Sequence, residues 1–454
     1  MKWQLPDKQW YQQAWQRLPS VGLMALVGAV ATYVGQRYLE ADFGWHLRAG
    51  QYILDHGVPP TDIFTYTAVG HGWVNHEWLG DVAVAGLAAS QRYWLLALVY
   101  GVLWALAYGL AVKGRPRLVP TLVVAAALVP YLGVRPMVWS ALGLVVLLRL
   151  LEQPRRWRWL PVVLLLWANL HGGFVLGLAT LGVAAVERRS WQLAGWALVA
   201  AVVTLANPYG WQLYGEIWQT ATDSRLHGLI GEWAPLALDY TNVGLVAAAV
   251  AVVAAGRLGR WRRWLGVLLV GLTLAANRQL PLLALALAEP LNATWHGLIR
   301  SLTAVRPGLG RGVSWGAALI AAAVLAATLW LPVPRANVGL STLPNAGVRM
   351  LRAEPCRGRL FNHYDYGGFI IWQLPGIKVY IDGRMPSWSG PEGRYLDRWQ
   401  RVLAEPAYAD HEFARYNVRC ALIKTSNTVL VRHLAAQGWR VQAAGGDSQL
   451  WRRD

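Results

Sequence analysis

The side chains best suited to chemistry gather between the first two long apolar runs. That stretch reads Glu40-Ala41-Asp42-Phe43-Gly44-Trp45-His46, and further on Asn75-His76-Glu77. Asp42 and His46 are four residues apart, so on a helix they share a face. A carboxylate just outside a membrane helix can take a proton from an attacking hydroxyl or bind a divalent metal. The alternative is that Glu40 and Asp42 cap the helix that follows, because acids favour a helix N-terminus. His76 and Glu77 could complete the same site. If a metal is present, Asp42 and His46 are the expected ligands, although the four lack a compact spacing such as HExxH. Two arginines, Arg135 and Arg278, fall at expected outer helix ends and can grip a phosphate with a fixed, bidentate charge. Interfacial anchoring is the competing reading for Arg135. His171 and Glu232 lie on the same expected side and join the candidate site.

What must position these groups is set by composition. Of 454 residues, 55% are hydrophobic and 15% charged, against roughly a quarter charged in soluble domains. The chain therefore reads as an α-helical multi-pass membrane protein. Windows of about 20 apolar residues place crossings near 20–38, 94–112, 118–133, 136–151, 158–170, 173–187, 190–206, 241–255, 262–277, 281–293 and 313–331, giving about 11 to 13 transmembrane helices. Lys and Arg exceed Asp and Glu by 42 to 24, a net charge of +18. The basic runs 113–117, 155–158, 188–189, 257–263 and 300–311 fall in short loops that alternate along this topology. Basic short loops stay in the cytoplasm, so the charge is an orientation signal and not a nucleic-acid surface. The same rule makes 78–90 a helix lying at the outer face, because a crossing there would invert every later basic loop. Residues 1–19 form a cytoplasmic segment, 20–331 the polytopic domain with a first external loop at 39–93, and 332–454 an extracytoplasmic domain.

In that last segment apolar runs shorten and charges recur every few residues. Strands are expected at 359–362, 377–381 and 420–424, and helices at 391–403 and 429–437. Their alternation indicates a small α/β domain. Cys356 and Cys420 both fall in it. They could form a disulfide in an oxidising compartment or remain two buried thiols.

The Glu40-Ala41-Asp42 setting after the first apolar helix resembles the first external loop of GT-C superfamily glycosyltransferases. His363-Tyr364-Asp365-Tyr366-Gly367-Gly368 resembles the WWDYG motif of oligosaccharyltransferase catalytic subunits, and Val379-Tyr380-Ile381-Asp382-Gly383-Arg384 stands where those enzymes have an apolar strand ending in Asp. With Trp167–Phe174 and Asn207-Pro208-Tyr209-Gly210, the chain resembles bacterial GT-C-like membrane proteins over nearly its full length. The resemblance implies transfer of a sugar from a polyprenyl-phosphate or polyprenyl-diphosphate donor at the outer face of a plasma membrane, to an acceptor the sequence does not name. It implies Asp42 as the catalytic acidic group, and Tyr364, Asp365 and Asp382 near the acceptor. The second external loop carries Arg135-Pro136 and no DxD or DxE. A divalent metal cofactor and metal-independent transfer therefore both remain open.

Two other classes compete. A transporter or flippase of lipid-linked saccharide would be expected to show repeated halves with acids at mid-membrane. Here the acids lie in loops and no halves correspond. A non-catalytic scaffold would use the α/β domain to bind a partner and would tolerate replacement of Asp42 and His46.

Overall fold

The computed structural model describes residues 8–89, 92–237, 240–255, 258–330, 337–339 and 343–453. The first residues of the expected cytoplasmic segment and the expected domain boundary at 331–332 lie outside them. The chain forms two compact units.

The first unit comprises residues 1–36, 93–206 and 225–336. Every crossing expected from the sequence lies on a helix: Lys8–Arg37, Tyr93–Ala111, Leu118–Leu128 with a 3-10 turn to Tyr131, Met137–Leu151, Leu160–Leu170, Phe174–Arg188, Trp191–Val203, Tyr240–Ala255, Arg260–Ala275, Leu280–Val305 and Pro307–Trp330. Two boundaries differ markedly. The first helix already runs from Lys8, well before the expected residue 20, and the expected 281–293 segment is the first half of a 26-residue helix that continues past Pro290. Among the described residues three helices are long and apolar enough to cross a membrane, Pro19–Arg37, Tyr93–Ala111 and Gly308–Ala327; five others are apolar but shorter. Several of these helices turn large apolar side chains outward, among them Leu198, Val202, Leu319 and Ile320, as helices facing hydrocarbon do.

Small residues let these helices approach closely. A Cβ on Gly28 would lie 3.0 Å from the Gly101 carbonyl oxygen, so the first two long helices cross backbone to backbone. The Trp167 ring occupies the space that side chains at Gly143 and Gly177 would need. Charges knit the helix ends. Arg149 meets Glu152 at 2.6 Å and Glu289 at 3.2 Å, and Arg262 meets the same two acids at 2.9 and 3.1 Å. The four alternate in sign, which satisfies each charge.

The second unit is assembled from residues 37–92, 207–224 and 337–454. Tyr38–Glu40 pairs antiparallel with Asn337–Gly339. A four-stranded mixed sheet runs in the order Arg359–Asn362, Val418–Lys424, Ser448–Arg452, Arg440–Gly445; the first pair is parallel and the others antiparallel. Helices Asn345–Ala353, Tyr395–Ala404, Pro406–Arg415 and Thr428–Ala436 complete the α/β fold. Cys356 and Cys420 are joined in a disulfide.

Residues 377–381 do not form the expected strand. Val379 makes a single bridge to Thr65, with the Tyr66 amide donating to the Val379 carbonyl at 3.1 Å and the Val379 amide to the Phe64 carbonyl at 3.0 Å. The run is apolar because Val379, Tyr380 and Ile381 are fully buried; burial alone produced the strand-like pattern. The Trp78–Ala88 helix has 11 residues, about 16 Å at the usual rise, well short of a hydrocarbon core of about 30 Å. It packs along Phe43–His56, where Gly50 touches the Asp81 backbone so closely that no Cβ would fit.

Candidate active site

Asp42 stands at the N-cap position of the Phe43–His56 helix, half-buried, with no side-chain hydrogen bond to that helix's amides. The capping role open to it on sequence is therefore not what its carboxylate does here. Instead the carboxylate abuts the backbone of Gly383, and the neighbouring Ala41 carbonyl abuts Gly368. The Gly367–Gln373 helix follows directly on a 3-10 turn at Tyr364–Tyr366. Gly367 and Gly368 thus open a helix. Phe43 meets Trp372 edge-on at 5.2 Å, and Arg48 donates to the Trp372 carbonyl at 2.7 Å, locking the two helices together. Tyr364 donates to the Gly383 carbonyl at 3.3 Å.

His46 shares a turn with Asp42, but its ring is engaged elsewhere. Its Nδ1 lies 2.6 Å from Asp81 and its Nε2 3.5 Å from Glu77. Asn75 donates to the other Asp81 oxygen at 2.7 Å and accepts from the Glu77 amide. Trp45 lies over the imidazole with ring centroids 3.6 Å apart. Burial disfavours the imidazolium, but Asp81, with Glu77 and Glu40, outweighs it and lifts the pKa to about 9. His46 is a buried cation at neutral pH, facing carboxylates through both ring nitrogens. Among the described residues no three His, Cys, Asp or Glu side chains converge as a metal site. His76 is partly exposed, 3.7 Å from Glu77.

Asp382 is wholly buried. Its carboxylate accepts from the Arg384 amide at 3.0 Å and from the guanidinium at 2.8 and 2.7 Å, and Arg384 reaches Asp62 at 2.7 Å. Phe64, Trp73 and Trp388 surround the guanidinium at 4.8, 4.5 and 5.3 Å. Burial works against the Arg384 charge, while Asp382 and Asp62 more than restore it. Asp365 pairs with Lys424 at 2.5 Å. His363 is held neutral, its pKa lowered to about 4 by burial and Lys424 against the pull of Asp365.

The first unit carries the candidate phosphate ligands. Arg135, buried, pairs with Glu232. Arg278 lies 4.4 Å over the Trp233 ring, and its amide donates to the Glu232 carbonyl at 3.2 Å. Tyr131 donates to Asn277 at 2.7 Å. Arg135, Glu232 and Arg278 are thus brought together. His171 has a different setting. Ser140 lies 2.6 Å from its Nδ1, the Gly173 amide donates to the same nitrogen, and Trp167 donates to Ser140. This chain of contacts ties the turn between two helices.

Asp81, Asn75, Asp62 and Arg384 were not singled out as site residues. Asp81 had one sequence signal, a lone acid inside an apolar run. Asn75 lies beside the expected His76-Glu77 pair, and Arg384 ends the Val379–Arg384 string.

No protein-family model matches the sequence, and no curated protein matches it. Solved structures do. The archaeal oligosaccharyltransferase AglB from Archaeoglobus fulgidus, solved with an inhibitory peptide and a dolichol-phosphate, matches at TM-score 0.58 and 11% identity over 91% of this chain and 70% of that one. The oligosaccharyltransferase of the same organism, tethered to an acceptor peptide containing the NVT sequon, matches at TM-score 0.56 and 12% identity over 97% and 75%. Its complex with Zn and sulfate matches at TM-score 0.55 and 13% identity over 88% and 68%. At this identity the likeness is one of fold: the chain has the multi-pass membrane fold with an α/β domain that the oligosaccharyltransferase has, in agreement with the GT-C resemblance of its motifs.

Proposed function

We propose that this protein is a glycosyltransferase that moves a sugar or oligosaccharide from a polyprenyl-phosphate or polyprenyl-diphosphate donor to an acceptor at the outer face of the plasma membrane. The observation that carries this is the placement of Asp42, a carboxylate at a helix start turned away from capping and set beside the Tyr364–Gly383 region. The fold in which it sits is shared with an enzyme solved with dolichol-phosphate and with acceptor peptide. In the reaction an acceptor hydroxyl or amide attacks the anomeric carbon. The bond from that carbon to the phosphate oxygen breaks, the phosphate leaves with the electron pair, and Asp42 takes the acceptor proton. A base so placed supplies about 10² to 10⁴ in rate. Arg135 and Arg278 carry the fixed positive charge that suits a donor phosphate. Tyr364 and Asp365 would flank the acceptor.

The test is transfer by the full-length protein in nanodiscs, supplied with polyprenyl-phosphate mannose or an undecaprenyl-diphosphate oligosaccharide and with peptide, sugar and lipid acceptors. Turnover that Asp42→Asn lowers by about 10² or more, with donor affinity retained, is the expected result. An Asp42→Asn protein as active as the parent would remove the assignment.

A further inference from the structure

We infer that the Asp382-Gly383-Arg384 turn is the device that positions the Asp42 carboxylate, with Gly383 as the surface it rests on and Arg384 as the positioning residue that holds the turn. The inference rests on the catalytic reading of Asp42 and adds to it the residues that set its place.

Gly383 carries the first part. A Cβ built there would fall inside the Asp42 carboxylate, 2.5 Å from its Cγ and 2.8 Å from its second oxygen. The backbone of Gly383 is not in the left-handed region, so its own conformation admits any residue. What excludes a side chain is Asp42. The contact is direct, backbone to carboxylate, so a methyl at 383 would force the Asp42 side chain out of this position.

The turn is held from both ends. Asp382 accepts three hydrogen bonds from Arg384, one from its amide and two from its guanidinium. Arg384 is tied in turn to Asp62, which also accepts from the Phe64 and Thr65 amides at 3.1 and 2.9 Å and from the Thr65 hydroxyl at 2.5 Å. A planar guanidinium pinned by two buried carboxylates and three aromatic rings has little freedom to move. The opposite side is equally close. A Cβ on Gly367 would lie 2.6 Å from the Asp382 Cβ, Gly368 touches the Ala41 carbonyl, and Gly44 touches the Gly368 carbonyl. The backbone beside Asp42 and its carboxylate are thus gripped by one stretch of chain more than 320 residues away. A structural ion pair would stabilise the fold wherever it lay; this one shapes the three residues against which the carboxylate stands.

The experiment is a double-mutant cycle in the full-length protein, with Gly383→Ala made alone and in an Asp42→Ala background, where the carboxylate that the methyl would meet is gone. Both kcat and KM for donor are measured, together with the thermal midpoint. In the parent, Gly383→Ala is expected to lower kcat by about 10²-fold, the cost of misplacing a reacting group by about 1 Å, with donor KM little changed; in Asp42→Ala it should have no further effect on kcat or on the midpoint. Arg384→Lys keeps the charge but not the fork, and should lower kcat in the parent and not in Asp42→Ala. Equal losses in both backgrounds, or losses confined to KM, overturn the inference. If Asp42→Ala keeps full activity, the catalytic reading fails, and the midpoint cycle still decides whether Gly383 bears on Asp42.

Discussion

His46 and Asp81, 35 residues apart in sequence, meet at 2.6 Å in a site almost closed to solvent, 3% exposed at the histidine and 0% at the aspartate. The contact joins the Phe43–His56 helix, whose start carries Asp42, to the Trp78–Ala88 helix. Asn75 and Glu77 close the other sides. An uncompensated charge here would be costly, so the pair acts as one unit and the imidazolium is its working form.

A pH dependence follows. A histidine whose pKa is raised on folding gives its full stabilisation below the unfolded value of 6.5 and loses it as pH climbs through about 9. Hydrogen exchange of peptides from 43–56 and 78–88, corrected for intrinsic rates, should show protection falling between pH 7 and 10. His46→Gln should be less protected at neutral pH and lack that fall. A flat parental profile would mean that the imidazole is neutral.

The helical frame was readable because each helix of the first unit follows an apolar run, a signal that is local in sequence. What escaped was long-range. Asp81 registers in sequence only as a blemish in an apolar run; its meaning comes from His46, which no spacing rule connects to it. Asp62 and Arg384 are separated by more than 320 residues. The 377–381 run has strand composition, but it makes only the one bridge to Thr65, so the ladder that would define a strand is missing. The Asp42–His46 spacing correctly implied a shared helix turn. It did not imply that both imidazole nitrogens face other acids, which is a property of the partner helix.

Gly50→Ala tests that helix pair directly. The added methyl would strike the Asp81 backbone and lie 2.8 Å from the Ala85 Cβ. Overpacking of this kind costs about 1 to 3 kcal/mol. Exchange protection should fall in both helices while the four-stranded sheet is unchanged. A variant with parental protection would show that the helices can separate at no cost.

The Cys356–Cys420 disulfide spans 64 residues of sequence. Closing a loop of that size restricts the unfolded chain by about 4 kcal/mol on the entropy model. Non-reducing peptide mapping should recover the linked pair from protein made in an oxidising compartment. Cys356→Ser/Cys420→Ser should expose the Arg359–Asn362 and Val418–Lys424 strands to exchange and leave the membrane helices protected. Free thiols in unreduced, denatured protein would contradict the bond.

Arg135 and Glu232 yield the sharpest test of donor binding. Glu232 offsets the charge that would hold a phosphate, so a donor must compete with it or share the arginine. Arg278 stands beside the pair, stacked on Trp233. A hydrogen bond to a charged group is worth about 1.5 to 3 kcal/mol, or roughly 10- to 100-fold in affinity. Arg135→Gln should therefore raise donor KM by about that factor, and Arg278→Gln should act in the same direction. Glu232→Gln, which removes the neutralising carboxylate beside Arg135, should lower donor KM or leave it unchanged. These shifts should be confined to phosphate-bearing donors and weaken as salt is raised, because screening reduces the attraction. If Glu232→Gln raised donor KM as much as Arg135→Gln, the pair would be a structural tie between helices and the phosphate would have to be held elsewhere.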